Sequence, residues 1–220
     1  TYRQASNGTV DLQLRDPENR LLGRGPRKRL SPYAIRDTAL FASGLLVEKI
    51  GGPSVKPYMP PGIWSSISNA RYKQDKGEKL YRRSMYTYWR RTLPPPTMMT
   101  FNAAAREICI VRTDKTITPL QALTMMNNVT FVEAARFLAE RVLKLAGLSN
   151  EERIQMAFRM VIGRVADSSE IKQLLEDLEF YRQDFMKRPG QASKLLAVGE
   201  KKPDATLLPV DLASFTMVAN

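Results

Sequence analysis

From Thr118 onward, apolar residues recur at helical spacing, and each run is bounded by a start or stop signal. Thr118-Pro119-Leu120-Gln121 combines a capping box with proline at the first helical position. Leu120, Leu123, Thr124 and Asn127 then follow on one face. Asn128 is placed to cap a second helix, VTFVEAARFLAERVLKLAG, with Val132, Ala135, Phe137, Leu138, Val142 and Leu145 as its apolar stripe and Gly147 as its stop. Ser149 and Glu152 form a capping box for a third, with Ile154, Ala157, Phe158, Val161 and Ile162 inward and Gly163 at its end. Asp167 and Glu170 open a fourth, with Ile171, Leu174, Leu175, Leu178 and Tyr181 inward, closed by Pro189-Gly190. Shorter helices are predicted around 192–198 and 211–219.

The first half is less regular. Ser31-Pro32 opens a helix expected to run through Ile50, with Ile35, Ala39, Ala42, Leu46 and Ile50 on one face. Residues 53–79, rich in Gly, Pro, Ser and Asn, read as a long ordered loop. The stretch 80–90 alternates with period two and is rich in aromatics, which predicts a strand ended by Pro94-Pro95-Pro96. Residues 107–112 form a second alternating run that could pair with it. The predicted fold is mainly α, a multi-helical C-terminal region packed on an irregular N-terminal region with a small β element. One domain is expected over 1–220, with subregions 1–115 and 116–220.

Charge sharpens that division. Residues 1–115 hold 21 Lys+Arg against 9 Asp+Glu, whereas 116–220 hold 13 of each. A polyanionic partner should therefore meet the first half; the plain alternative is a solubilising charge balanced by a neighbouring domain. A hydrophobic content of 43% is enough for a core. No apolar run approaches the roughly 18 residues of a membrane span. The polar opening has no signal peptide and no initiating Met, which predicts an excised piece of a longer chain.

Histidine is absent, and Cys109 is the one cysteine. This removes Ser-His-Asp and Cys-His nucleophiles, HExxH zinc sites and CxxCH haem attachment within the chain. No metal site is expected, and Met98, Met99, Met125 and Met126 read as core filler. Asn7-Gly8-Thr9 reads as a turn.

Two groups of residues could carry function. Arg82, Arg83, Arg90 and Arg91, interleaved with Tyr86 and Trp89, are the kind of residues that hold polyanions, or else a strand with arginines at its rim. Arg36, Asp37, Asn102, Arg106 and Cys109 could converge on a pocket with a tuned carboxylate or thiolate. Equally, the charges could be buried structural pairs and Cys109 a small hydrophobe in a strand, with Arg106 and Arg112 beside it. Gln121 and Asn127-Asn128 are explained by helix capping, with a pocket lining as the alternative.

Three blocks in fixed order carry a family resemblance: RDPENRLLGRGPRKRLSPYAIRDTALFASGLLVEKIGGPSVKPYMPPGIW, GEKLYRRSMYTYWRRTLPPPTMMTFNAAAREICIVR and TITPLQALTMMNNVTFVEAARFLAERVL. The chain resembles the planctomycete-type secreted domain family known as domain of unknown function 1553 over almost its whole length. The resemblance implies the C-terminal part of a longer exported protein, periplasmic, cell-surface or secreted, often carrying a cytochrome-c-like haem domain upstream. It implies no established reaction. Where the family commonly shows Phe-Asp-Ala-Pro, this chain has Phe101-Asn102-Ala103-Ala104. A family carboxylate acting there as base or cation ligand would be missing here.

The leading expectation is a structural or interaction module whose basic face meets upstream domains of the same polypeptide, an acidic polysaccharide or an acidic protein surface. The alternative is part of a cytochrome-coupled oxidoreductase or polysaccharide-active enzyme with a shared site. Nucleic-acid binding ranks third, because no recognised nucleic-acid motif is present.

Overall fold

The computed structural model describes residues 4–26, 28–65, 71–111 and 116–220. The chain divides into two compact units, Thr1–Leu30 and Ser31–Asn220.

The first unit is organised around buried polar groups rather than apolar ones. Helix α1 (Val10–Arg15) starts where Thr9 Oγ1 accepts from Leu12 N–H, so the predicted Asn7-Gly8-Thr9 turn ends in a helix cap. Asp16 is buried and accepts from Arg20 N–H and Leu21 N–H, both at 2.8 Å. Those two bonds hold its carboxyl below the ordinary range. Arg24 closes the loop by donating to Pro17 O at 2.7 Å.

The second unit is mainly helical. Helix α2 (Pro32–Ser43) is capped by Ser31 Oγ. It ends at Ser43, short of the expected Ile50, because Gly44 turns the chain left-handed at φ +77°. Leu45 and Leu46 N–H both return to Leu40 O, and Ile50 lies outside the helix, 88% exposed.

The predicted strand over 80–90 is not formed. The segment folds as 3-10 turns at Gly77–Tyr81 and Ser84–Tyr86, linked to its surroundings by isolated bridges, Val47 to Arg82 and Val55 to Thr87. Alternation failed as a guide because Leu80, Tyr81, Arg82 and Ser84 are all buried, so the stretch has no solvent face of period two. Residues 107–111 form no strand either; Ile108 and Ile110 are exposed, and Arg112 lies outside the described residues. The small β element thus reduces to bridges among the described residues. The triple proline does not stay extended throughout, since Pro96 is the first residue of a one-turn helix, α3 (Pro96–Thr100).

The C-terminal helices follow their local signals closely. α4 (Pro119–Asn127), α6 (Asn150–Ile162) and α7 (Ser168–Lys187) carry reciprocal capping boxes at Thr118/Gln121, Ser149/Glu152 and Asp167/Glu170. Asn128 caps α5 (Val129–Leu143), which stops before Gly147. Pro189, expected only to close α7, also opens α8 (Pro189–Leu196), and α9 spans Pro209–Ala219.

Packing explains the roles of these helices. α5 runs through the middle, against α2, α4, α6 and α9, and is buried on nearly every side. α9 lies on α5, α7 and α8 with Leu212, Ala213 and Phe215 fully enclosed. Its Ser214 and Thr216 hydroxyls satisfy themselves on Val210 O and Leu212 O. By contrast, the face of α4 bearing Leu120 and Leu123 is exposed. Of the methionines expected in the core, Met98 is buried, whereas Met99, Met125 and Met126 are exposed.

Candidate functional site

Arg36, on the inner face of α2, reaches across to the 80–84 segment. It donates to Leu80 O at 2.6 Å, Arg82 O at 2.9 Å and Ser84 Oγ at 3.2 Å. Burial pulls its pKa down to about 10, with Asp37 opposing, so the guanidinium stays charged at neutral pH. Asp37 Oδ1 accepts from Ser84 N–H at 2.7 Å, and its other oxygen lies 4.0 Å from Arg83. This Arg-Asp pair folds the 80–84 segment onto α2 by side-chain bonds to backbone.

Asn102 lies elsewhere, with φ +65°, in an amide cluster between α3 and α4. Its Oδ1 accepts from Thr116 Oγ1 at 3.0 Å and Gln121 Nε2 at 3.1 Å, and Gln121 also donates to Thr100 O. Gln121 therefore does more than cap. Arg106 lies over the Trp89 ring at 4.3 Å and donates to Tyr33 Oη at 3.1 Å. Cys109 is exposed, so it is not a core hydrophobe. The five residues thus occupy four kinds of surroundings: a clamp on 80–84, an amide cluster, an aromatic shelf and, for Cys109, the surface.

The arginine-aromatic stretch divides in the same way. Arg82 is buried, lies 3.8 Å over the Tyr86 ring, and donates to Lys49 O, Gly51 O and Pro53 O. Tyr86 Oη accepts from Gly51 N–H at 2.8 Å. These two side chains pin the 49–53 turn. Trp89 Nε1 donates to Ala105 O at 3.1 Å, anchoring the segment before Arg106. Arg83 and Arg91 point outward.

Arg90 belongs to a different cluster. Its guanidinium lies 4.9 Å over the Trp64 ring. Lys56 Nζ stands 5.9 Å from the same ring and 5.1 Å from the Tyr88 ring. Trp64 packs edge-on to Tyr72 at 5.2 Å and tilted against Tyr88 at 5.9 Å. Trp64 is 8% exposed, and its Nε1–H meets no acceptor. The sequence reading had Arg90 but missed Lys56 and Trp64, which come from the Pro- and Gly-rich loop; no local pattern marked them.

The sequence reading also missed a buried charge network on α5. Arg136 donates to Glu140 Oε1 at 2.8 Å and Lys201 O at 2.6 Å, and stands 3.8 Å from Glu133. Glu133 accepts from Tyr58 Oη at 2.9 Å, Tyr81 Oη at 3.0 Å and Lys201 N–H at 3.0 Å. Burial pushes the Tyr58 hydroxyl up to about 12 and Tyr81 further in the same direction. Every charge here has partners, which marks a structural tie between α5, the 58–81 region and the 199–204 loop.

Two of the cavities lie in the core and beside the Arg36 clamp. An apolar one of about 190 Å³ lies among α5, α6, α7 and α9, lined by Val142, Ile154, Phe158, Leu174 and Phe215. One of about 30 Å³ lies between Arg36, Tyr72, Thr87 and Phe131. Among the described residues, no group of three or more Cys, Asp or Glu could hold a metal ion, and no helix is long and apolar enough to cross a membrane.

No curated protein and no solved structure matches the chain. A family model described as PSD1, protein of unknown function (DUF1553), matches residues 1–178, ending in the middle of α7. With four-fifths of its length inside that match, the chain belongs to the DUF1553 family.

Proposed function

We propose that this chain is an interaction module of a longer exported polypeptide, cytochrome-c-associated as the family resemblance implies, whose basic half binds an acidic partner. The observation that supports this is where charge is neutralised. In 116–220 opposite charges meet: Arg136 with Glu140, Lys144 with Asp204, Arg164 with Glu170, Arg182 with Asp211 and Arg188 with Asp184. In 31–111 the described ion pairs gather on Asp37 and Asp75 alone, at 3.9–4.0 Å. Exposed Lys49, Lys73, Lys76, Arg83 and Arg91 therefore add to a positive field with little internal compensation.

The enzyme reading has less behind it. Arg36, Asp37 and Asn102 are each spent on holding backbone or amide groups. The module should bind acidic polymers with an affinity that falls as salt rises. Retention on an immobilised polyuronate or sulfated polysaccharide, measured across a salt gradient, tests this. Equal behaviour at all salt concentrations, or no retention at low salt, would overturn the proposal.

A further inference from the structure

We infer that the apolar cavity among α5, α6, α7 and α9 binds a compact hydrocarbon ligand, a single aromatic ring with one or two carbon substituents. This goes beyond the polyanion reading and does not depend on it, because every lining residue belongs to the charge-neutral half. Three observations converge. First, the cavity volume is about 190 Å³. A cavity of roughly 150 Å³ walled by aliphatic and aromatic side chains takes up benzene, so this one has room for a ring and a short substituent.

Second, the lining gives water few partners. Among the described residues that line it, all are apolar apart from Asn220, whose side-chain amide already donates to Met126 O at 3.0 Å. A water held in such a space needs two to four polar partners, whereas a hydrocarbon needs contacts alone. Third, α6 carries an apolar stripe that the packed core does not use up. Ile154 is buried, but Ala157 and Phe158 are only partly so, and Val161 and Ile162 are 42% and 55% exposed. All five line the cavity. A ligand there gives these side chains the dispersion contacts that the cavity withholds, and the exposed pair gives it a way in from solvent. Phe158 of α6 and Phe215 of α9 both line the space. A ring can therefore stack on or abut two others, and it gives up less rotamer freedom than a linear chain of the same size.

The test uses the whole chain, with toluene as the probe and phenol as its polar counterpart. Methyl signals of Val142, Ile154, Leu174 and Val218 should shift together and saturate as toluene is added, and the thermal midpoint should rise by about 2–5 °C near saturation. Phenol should bind about ten-fold or more weakly, since its hydroxyl would be buried without a partner. Ala157→Leu fills the space from α6 and should weaken toluene binding about ten-fold or more, with the thermal midpoint unchanged or raised. Ala157→Met, a more adaptable filler, repeats the measurement if leucine overpacks. Shifts that do not saturate, or that fall on the exposed Leu120 and Leu123 of α4 instead, overturn the site. Equal binding by either folded Ala157 variant does the same, and the wild-type titration decides alone if neither folds. Phenol binding as tightly as toluene overturns the ligand class. None of these outcomes bears on the salt-dependent retention that tests the polyanion reading.

Discussion

Glu133 shows at the scale of one residue how this fold uses charge. In sequence it is one of several charges on an amphipathic-looking helix; in the structure it is 1% exposed and surrounded by donors. Removing its cation strands it, so Arg136→Met should cost about 3–5 kcal/mol, read from the denaturant midpoint. Gly199 faces the same carboxylate at φ +98°, where a Cβ would lie 2.4 Å from Glu133 Oε1. Gly199→Ala should therefore destabilise by roughly 2–4 kcal/mol, since it adds backbone strain to a displaced buried charge. The tyrosines on Glu133 give a pH signature. Their folded pKa values lie above the ordinary 10 of the unfolded chain, Tyr58 at about 12. The unfolded state thus releases these protons first, so the contribution is intact below pH 10 and is lost as pH rises from 10 towards 12. Tyrosinate absorbance should show late-titrating groups that appear together with loss of tertiary structure, and Tyr58→Phe should remove part of that late phase. Early, unlinked titration of all eight tyrosines would contradict the network.

Elements whose instructions are local were legible from sequence, and those held by distant side chains were not. Thr118, Ser149 and Asp167 each cap a helix using groups three residues away, so the motif and the structure coincide. The 80–90 stretch is different. Its conformation depends on Arg36 and Asp37, more than forty residues earlier, which take its carbonyls and an amide for themselves. No window of sequence contains both partners. The candidate site divides likewise: Arg90 was visible in its arginine-aromatic run, but Lys56 and Trp64 join it only through the fold of a loop. The Asn102 cluster offers the clearest test at this scale. Its Oδ1 is used as an acceptor at a left-handed position that Asn and Asp both tolerate. Asn102→Asp, which puts a carboxylate where the amide stands, should change stability by less than about 0.5 kcal/mol, whereas Asn102→Ala should cost about 1–2 kcal/mol. The opposite order, measured by thermal unfolding, would mean that a carboxylate is not exchangeable with the amide in this cluster.

For the second unit as a whole, the family match and the folding unit have different boundaries. The match stops at residue 178, inside α7, whereas the packed core continues through α8 and α9. Leu212, Ala213 and Phe215 of α9 share that core with Val142, Ile154, Leu178 and Leu196. Burial of each large apolar side chain contributes about 1.5–3 kcal/mol. Removing α9 exposes several at once, on α9's partners as well as on α9 itself, a loss comparable with the roughly 5–15 kcal/mol by which a domain is usually stable. The capping boxes of α4, α6 and α7 would survive such a cut, because they are local. A chain ending at 178 should therefore keep helical circular dichroism while losing near-ultraviolet signal and a cooperative thermal transition, and it should bind a hydrophobic dye. The same chain extended to 220 should unfold cooperatively. Cooperative unfolding of the 178-residue form would show that the matched segment folds alone, and that α9 is an addition to a domain complete without it.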